Sequence, residues 1–309
     1  MKLKTTCVIV VVTLVLGFEF VYLFRSIAGS EIAESTAPLP AQMAAETAPE
    51  STVQPETEAP IKTNYGSVTE GTEEYRGFVI DNVLHSPDDG DIHYNVYIPE
   101  SYDGSTPYAL YVTLPGYEGL YFQGVAANIR SEAFGFEAQK YNSEMIILAP
   151  QLSDWGETSA NQTIALTEYF LNTYNIDPAK VYGSGYSGGG ETMSIVVGKR
   201  PDLFTAYLQV SSQWDGAYEP VAAQHLPVYF AIGRSDEYYG SEPTQRAYDT
   251  LHDLYRKQGM TEDEIDKILV LDIKEHTYFT ERNAPNEHGG GGLFAYDEEI
   301  MGWLFSQKK

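Results

Sequence analysis

A serine set between glycines, Gly185-Tyr186-Ser187-Gly188-Gly189, falls where a short strand-like run at 180–182 gives way to a helical pattern. Glycine on either side removes Cβ atoms where strand and helix must approach closely. The spacing therefore predicts a tight, strained strand-to-helix turn that exposes the Ser187 hydroxyl. The serine also lies at a helix N-terminus, whose free N–H groups favour developing negative charge. A strand-turn-helix of this kind belongs to a sheet of mostly parallel strands with helices between them, which restricts the chain to the α/β class.

The rest of the chain beyond Tyr75 agrees. Segments near 78–84 and 93–98 flank the turn-rich "SPDDGD" and read as an antiparallel pair. Short apolar runs at 109–114, 145–149, 180–182, 206–210, 228–232 and 268–273 suit strands buried on both faces. Helical patterns lie between them. Ala247, Leu251, Leu254 and Tyr255 share one face of a helix expected from about Ser241, and Tyr296, Ile300, Trp303 and Leu304 mark a closing helix.

The preceding sequence is of a different kind. Lys2 and Lys4 stand before an apolar stretch that runs from Cys7, with an interruption at Glu19, to Phe24. Residues 1–28 are expected to be either a cleaved export signal, ending at the small-x-small Ser26-Ile27-Ala28, or a membrane anchor. Residues 29–74 are rich in Ala, Thr, Pro, Glu and Ser and poor in large apolar side chains, so they are read as a disordered acidic linker. This leaves 75–309 as the folded domain and predicts an extracellular or cell-surface location. The membrane is then met only through the N-terminal segment.

Nineteen Lys and Arg against forty-four Asp and Glu leave a formal charge of −25, a field that repels phosphate backbones and argues against a nucleic-acid partner. Cys7 is the single cysteine, so the folded domain has neither a thiol nucleophile nor a cysteine-based zinc site. "DDGD" at 88–91 and "TEDEID" at 261–266 lack the ligand spacing of a calcium loop and read as a turn and a helix start. No metal is expected.

"NIDPAKVYGSGYSGGGETM" followed by "RPDLFTAYLQVSS" resembles the esterases related to the prolyl oligopeptidase catalytic domain, a group that includes feruloyl esterases and polyhydroxybutyrate depolymerases. The resemblance implies an eight-stranded α/β-hydrolase sheet, a Ser/Asp/His triad in that chain order, and no cofactor. No β-propeller segment precedes the domain, which argues against peptide hydrolysis.

In that chain order the base follows the acid and lies just before the last helix, which leaves His276 and His288. His288 is preferred because it opens the flexible "HGGGG", whereas His276 leaves a strand directly. Asp236, after the strand "PVYFAIG", is the expected acid, with Asp215 in "SSQWDG" as the alternative. Glu237 is then expected to point away. The oxyanion donors are expected to be the N–H groups of Gly188 and of Tyr117 in "TLPGYEG", where relatives often carry His-Gly and this chain has Pro115. Aromatic residues on the predicted site loops, Tyr186 and Trp214 among them, are read as a wall for an aryl or sugar moiety. The expected partner is a small-molecule or polysaccharide ester. Two other readings are a surface binding module that keeps a hydrolase fold without catalysis, and a peptidase of the prolyl oligopeptidase type.

Overall fold

The computed structural model describes residues 64–309. The expected export or anchor segment at 1–28 and the linker residues up to 63 lie outside the described residues. Ten strands form one sheet: β1 (Ser67–Thr69), β2 (Glu73–Tyr75), β3 (Phe78–Ser86), β4 (Gly90–Tyr97), β5 (Tyr108–Leu114), β6 (Met145–Pro150), β7 (Ile176–Tyr186), β8 (Ala206–Val210), β9 (Val228–Gly233) and β10 (Leu269–Lys274). Their order is β1-β3-β4-β6-β5-β7-β8-β9-β10, with β2 also paired to β3. The β1, β2, β3 and β4 pairings and the β4–β6 pairing are antiparallel, and all others are parallel. Strands β3 and β4 correspond to the two segments that flank the turn-rich "SPDDGD", and β5 to β10 to the six apolar runs.

Those runs are continuous because both faces of the sheet are covered. Along β5, Leu110, Val112 and Leu114 enter one core, while Ala109 and Tyr111 enter the other. The first core is closed by the helices Glu157–Thr173, Gly188–Lys199 and Glu242–Lys257, through Phe170, Val196 and Leu251 among others. The second is closed by Phe134–Ala138 and Glu298–Ser306. Helix Glu242–Lys257 buries Thr244, Ala247, Leu251 and Tyr255, one stripe at helical spacing. Burial of a side chain such as Leu251 stabilises the fold by about 1.5–3 kcal/mol, and Leu251→Asp would put a charge there instead.

Two expectations differ from the structure. Strands β1 and β2 fall inside the stretch to residue 74 read as linker, and they pair with β3 through Val68↔Leu84 and Glu74↔Val79. Three-residue edge strands are held by main-chain pairing and need no apolar side chains, so a polar sequence hides them. The closing helix is in two parts. A 3₁₀ helix spans Gly289–Tyr296, and the α-helix Glu298–Ser306 begins where Asp297 accepts the N–H groups of Glu299 and Ile300.

The parallel register aligns the ends of neighbouring strands, with Leu114 opposite Gly185, Tyr186 opposite Val210 and Lys274 opposite Gly233. The loops after β5, β7, β9 and β10 therefore meet on one rim of the sheet, the rim on which open α/β sheets place their sites.

Candidate active site

Ser187 follows β7 directly and precedes the helix Gly188–Lys199. Its φ of 53° and ψ of −126° are strained for a residue with a side chain. The flanking glycines explain how the turn is tolerated. A Cβ on Gly185 would lie 2.3 Å from the Gly189 carbonyl oxygen, and one on Gly189 would lie 2.4 Å from that of Pro115. Ser187 N–H donates to Val210 O at 3.0 Å, and Ser212 Oγ donates to Ser187 O at 2.6 Å, so the turn is tied to the end of β8.

The Ser187 hydroxyl lies 3.1 Å from His288 Nε2. On the other side of the ring, Nδ1 is 2.9 Å and 3.1 Å from the two carboxylate oxygens of Asp236. With the proton on Nδ1 the imidazole donates to Asp236 and accepts from the serine. The Asp236 side chain is fully buried, and its Oδ1 also accepts the N–H groups of Tyr238 at 3.0 Å and Tyr239 at 2.9 Å. The loop after β9 thus wraps round its own carboxylate and fixes its direction. Tyr186 donates its hydroxyl to His288 O at 2.8 Å, and its ring stacks on the imidazole with centroids 5.8 Å apart. Burial pushes the Tyr186 phenol far above its ordinary range, so it stays a donor.

The alternatives lie elsewhere. His276 opens the short helix His276–Thr280 and places Nδ1 3.0 Å from Glu287 Oε1, with a largely exposed ring. Asp215 accepts from Gln213 Nε2 at 3.2 Å, and its backbone is held by Ser194 Oγ. Neither is brought to Ser187.

Gly188 is the first residue of its helix, so its N–H has no partner inside the helix. Tyr117 stands across the cleft on the loop after β5, and a Cβ added to the adjacent Gly116 would be 3.3 Å from Ser187 Cβ. A cavity of about 280 Å³ opens here, lined by residues that include Gly116, Tyr117, Glu118, Glu132, Tyr186, Ser187, His288 and Gly289. Two larger clefts, about 580 and 700 Å³, lie away from the Ser187–His288 pair. Among the described residues no group of three or more His, Cys, Asp or Glu is placed to hold a metal ion.

Of the two aromatic residues singled out from sequence, Tyr186 lines the cavity and Trp214 does not. Trp214 is buried, stacks on Tyr218 at 5.2 Å, and donates Nε1–H to Gly216 O at 2.9 Å. Its ring is drawn into the core with Tyr207 and Phe230. The tryptophan beside the serine elbow is Trp155, on the loop after β6. It packs over Gly188 so closely that a Cβ there would be 2.1 Å from the indole, and its ring lies 6.0 Å from that of Tyr117. Its position after a parallel strand was the one available signal for it.

Sequence reasoning also missed three glutamates. Glu237 does not point away: its carboxylate accepts the N–H groups of His288 at 2.9 Å and Glu287 at 3.2 Å. Glu287 is buried and accepts from Ser235 N–H at 2.7 Å as well as meeting His276. The loop that carries Asp236 and the loop that carries His288 are thereby stitched together in both directions. Glu132 accepts the Gly116 N–H at 2.7 Å, and burial pushes its carboxyl up to about 8 against the opposing effect of that bond.

A model described as the prolyl oligopeptidase family matches residues 152–256, which include Trp155, Ser187 and Asp236. Acetylxylan esterase A of Emericella nidulans is 22% identical over 178 residues, which cover 51% of this chain and 53% of that protein. The chain thus spans about half the length of this relative. Among solved structures, a thermostable esterase superposes with a TM-score of 0.60 at 21% identity, over 75% of this chain and 63% of that one. A sheet whose loops meet at a serine elbow and a family match that includes that elbow lead to the same place: the chain has the α/β-hydrolase fold and is similar to the prolyl oligopeptidase family and to esterases.

Proposed function

We propose that this chain hydrolyses carboxylic esters through an acyl-enzyme, with Ser187 as nucleophile, His288 as base and Asp236 as the acid that orients it. The observation that carries the reading is the unbroken line of contacts from Ser187 Oγ to His288 Nε2 and from His288 Nδ1 to Asp236. Ser187 Oγ attacks the ester carbonyl carbon while its proton passes to His288 Nε2. The carbonyl oxygen becomes an oxyanion facing the Gly188 and Tyr117 N–H groups. Collapse breaks the bond to the alcohol, which leaves with the proton from His288. Water then repeats the sequence: its proton goes to His288, its oxygen joins the acyl carbon, and the acid is released with Ser187 restored. Asp236 orients the ring and stabilises the imidazolium.

The substrate in this reading is an ester outside the cell, an acylated polysaccharide or an aryl ester, reached by an enzyme exported or anchored through residues 1–28 and carried on the segment that follows. The esterase relative, named for acetylxylan, favours the first. The exposed ring of Tyr117, edge-on to Phe122 at 5.4 Å and beside Trp155, offers a surface for either a sugar or an aryl group.

A fluorophosphonate probe tests the reaction class. Labelling of Ser187 that disappears in Ser187→Ala is expected. A folded protein that takes no label would instead be a binding module, and cleavage of a prolyl peptide amide faster than of an activated ester would make it a peptidase. Comparing a hydroxycinnamoyl ester with an acetyl ester of the same alcohol, in wild type and Tyr117→Ala, then separates the two substrate classes.

A further inference from the structure

Glu132 lies directly behind the loop that faces the nucleophile, at the end of the short helix Ala127–Ser131. It lines the cavity at Ser187, and it also lines a small void closed by Pro115, Ile129, Phe134, Phe136 and Ala149 together with Thr113 and Asn128. Its carboxyl therefore has a mostly apolar wall on one side and the Ser187 cavity on the other. Its one hydrogen bond to the loop is from Gly116 N–H, at 2.7 Å. Gly116 precedes Tyr117 and sits against the Ser187 side chain, so fixing the Gly116 peptide fixes the donor that follows it.

We propose that Glu132 is a positioning residue of the hydrolytic site: its carboxyl group holds the Gly116 peptide in place for Tyr117, and a negative charge on it opposes the oxyanion and slows the reaction. The inference rests on Ser187 being the nucleophile. An oxyanion forming at Ser187 would stand close to Glu132, in a site partly shielded from water, where a second negative charge is more costly than in solvent. The carboxyl is pushed up to about 8 by burial, so it is largely neutral at pH 7 and charged above pH 9.

The groups that face Glu132 leave that transition identifiable. From β5 comes Tyr111 and from β7 Tyr186, both phenols pushed far up by burial, so they keep their protons throughout. From the loop after β5 come Tyr117 and Glu118, and from the loop after β10 comes His288. On its own helix Arg130 turns to the ring of Tyr75, 5.2 Å away. No Lys or Arg is among the residues that line the cavity.

The test is the pH profile of kcat/KM on an uncharged activated ester, from pH 6 to 10, for wild type and Glu132→Gln, with fluorophosphonate labelling of both at pH 7. Wild type is expected to lose roughly tenfold as pH rises through the Glu132 transition, and Glu132→Gln to lose that alkaline limb, because the amide keeps an acceptor for Gly116 but carries no proton to release. Glu132→Ala removes the acceptor as well and is expected to lower kcat at every pH while changing KM little. If it does not fold, the glutamine profile carries the test alone. Equal alkaline limbs in wild type and Glu132→Gln, with Ser187 labelled in both, would overturn the role of Glu132. Absence of labelling in wild type would instead overturn the nucleophile on which it rests.

Discussion

The carboxylate of Glu237 accepts the backbone N–H of His288 at 2.9 Å, so the residue next to Asp236 holds the main chain of His288. Partial burial works against the charge on Glu237, but the N–H groups of His288 and Glu287 outweigh it and keep the carboxyl below its ordinary range. Asp236 takes the ring of His288 while Glu237 takes its backbone. Two neighbouring side chains on one loop thereby set both the position and the direction of the imidazole.

Glu237→Ala should lower kcat/KM by about ten- to a hundredfold, since an imidazole displaced by a fraction of an ångström loses its alignment with Ser187. Glu237→Gln, which keeps an acceptor oxygen, should recover part of that loss. Steady-state kinetics alongside thermal melts separates the effect from unfolding. A Glu237→Ala enzyme with wild-type kcat/KM would show that the base loop is held by other contacts.

The two histidines between the last strand and the last helix make opposite predictions. His288→Ala should cost about 10⁴-fold or more in turnover of a small activated ester, the usual effect of losing a triad member. His276→Ala should cost less than about tenfold, acting only through Glu287, which keeps its bond from Ser235 N–H. A ranking in the other direction would move the base to His276.

How much of this was legible in the sequence depends on what holds each part. Strands β5 to β9 are legible because burial on both faces demands apolar side chains, β3 and β4 because a turn-rich segment separates them, and Ser187 because its turn demands glycine at 185 and 189. Asp236 and His288 are the residues that chain order and the resemblance single out, and their side chains lie in line with Ser187. Glu132, Glu237 and Glu287 act on backbone N–H groups 16, 51 and 52 residues away, and no local pattern records such a partner. Trp214 and Trp155 both follow parallel strands. One turns into the core beneath and the other over the nucleophile, a choice made by tertiary packing rather than by the neighbouring residues.

The fit of Trp155 over Gly188 gives a third prediction. Gly188→Ala would bring a methyl group to 2.1 Å from the indole, so either the ring or the Gly188 peptide must move. Because that peptide carries an oxyanion donor in the proposed mechanism, kcat should fall by about a hundredfold or more. Trp155→Ala opens the space, and the double variant should regain activity over Gly188→Ala alone. Losses that simply multiply in the double variant would mean that the steric contact is not the cause.

The raised Glu132 carboxyl gives a stability prediction that does not depend on turnover. In the unfolded chain a glutamate releases its proton near pH 4.5, whereas in the folded protein Glu132 keeps it to about 8. Between those values the native state binds a proton that the unfolded state has lost, so its stability falls as pH rises through this window and levels off above it. Glutamine at the same place has no proton to hold. The advantage of Glu132→Gln over wild type should therefore be smallest near pH 4.5, grow towards pH 8, and then stay constant. The side chain retains some contact with solvent, which brings the change across the window down to roughly 2 kcal/mol, or about 4–8 °C in Tm for a domain of this size. Melting curves of the two proteins at pH 5, 7 and 9 measure it directly. A difference in Tm that stays the same at all three would mean that Glu132 ionises in the fold as it does in water, and the alkaline limb of the rate profile would then need another source.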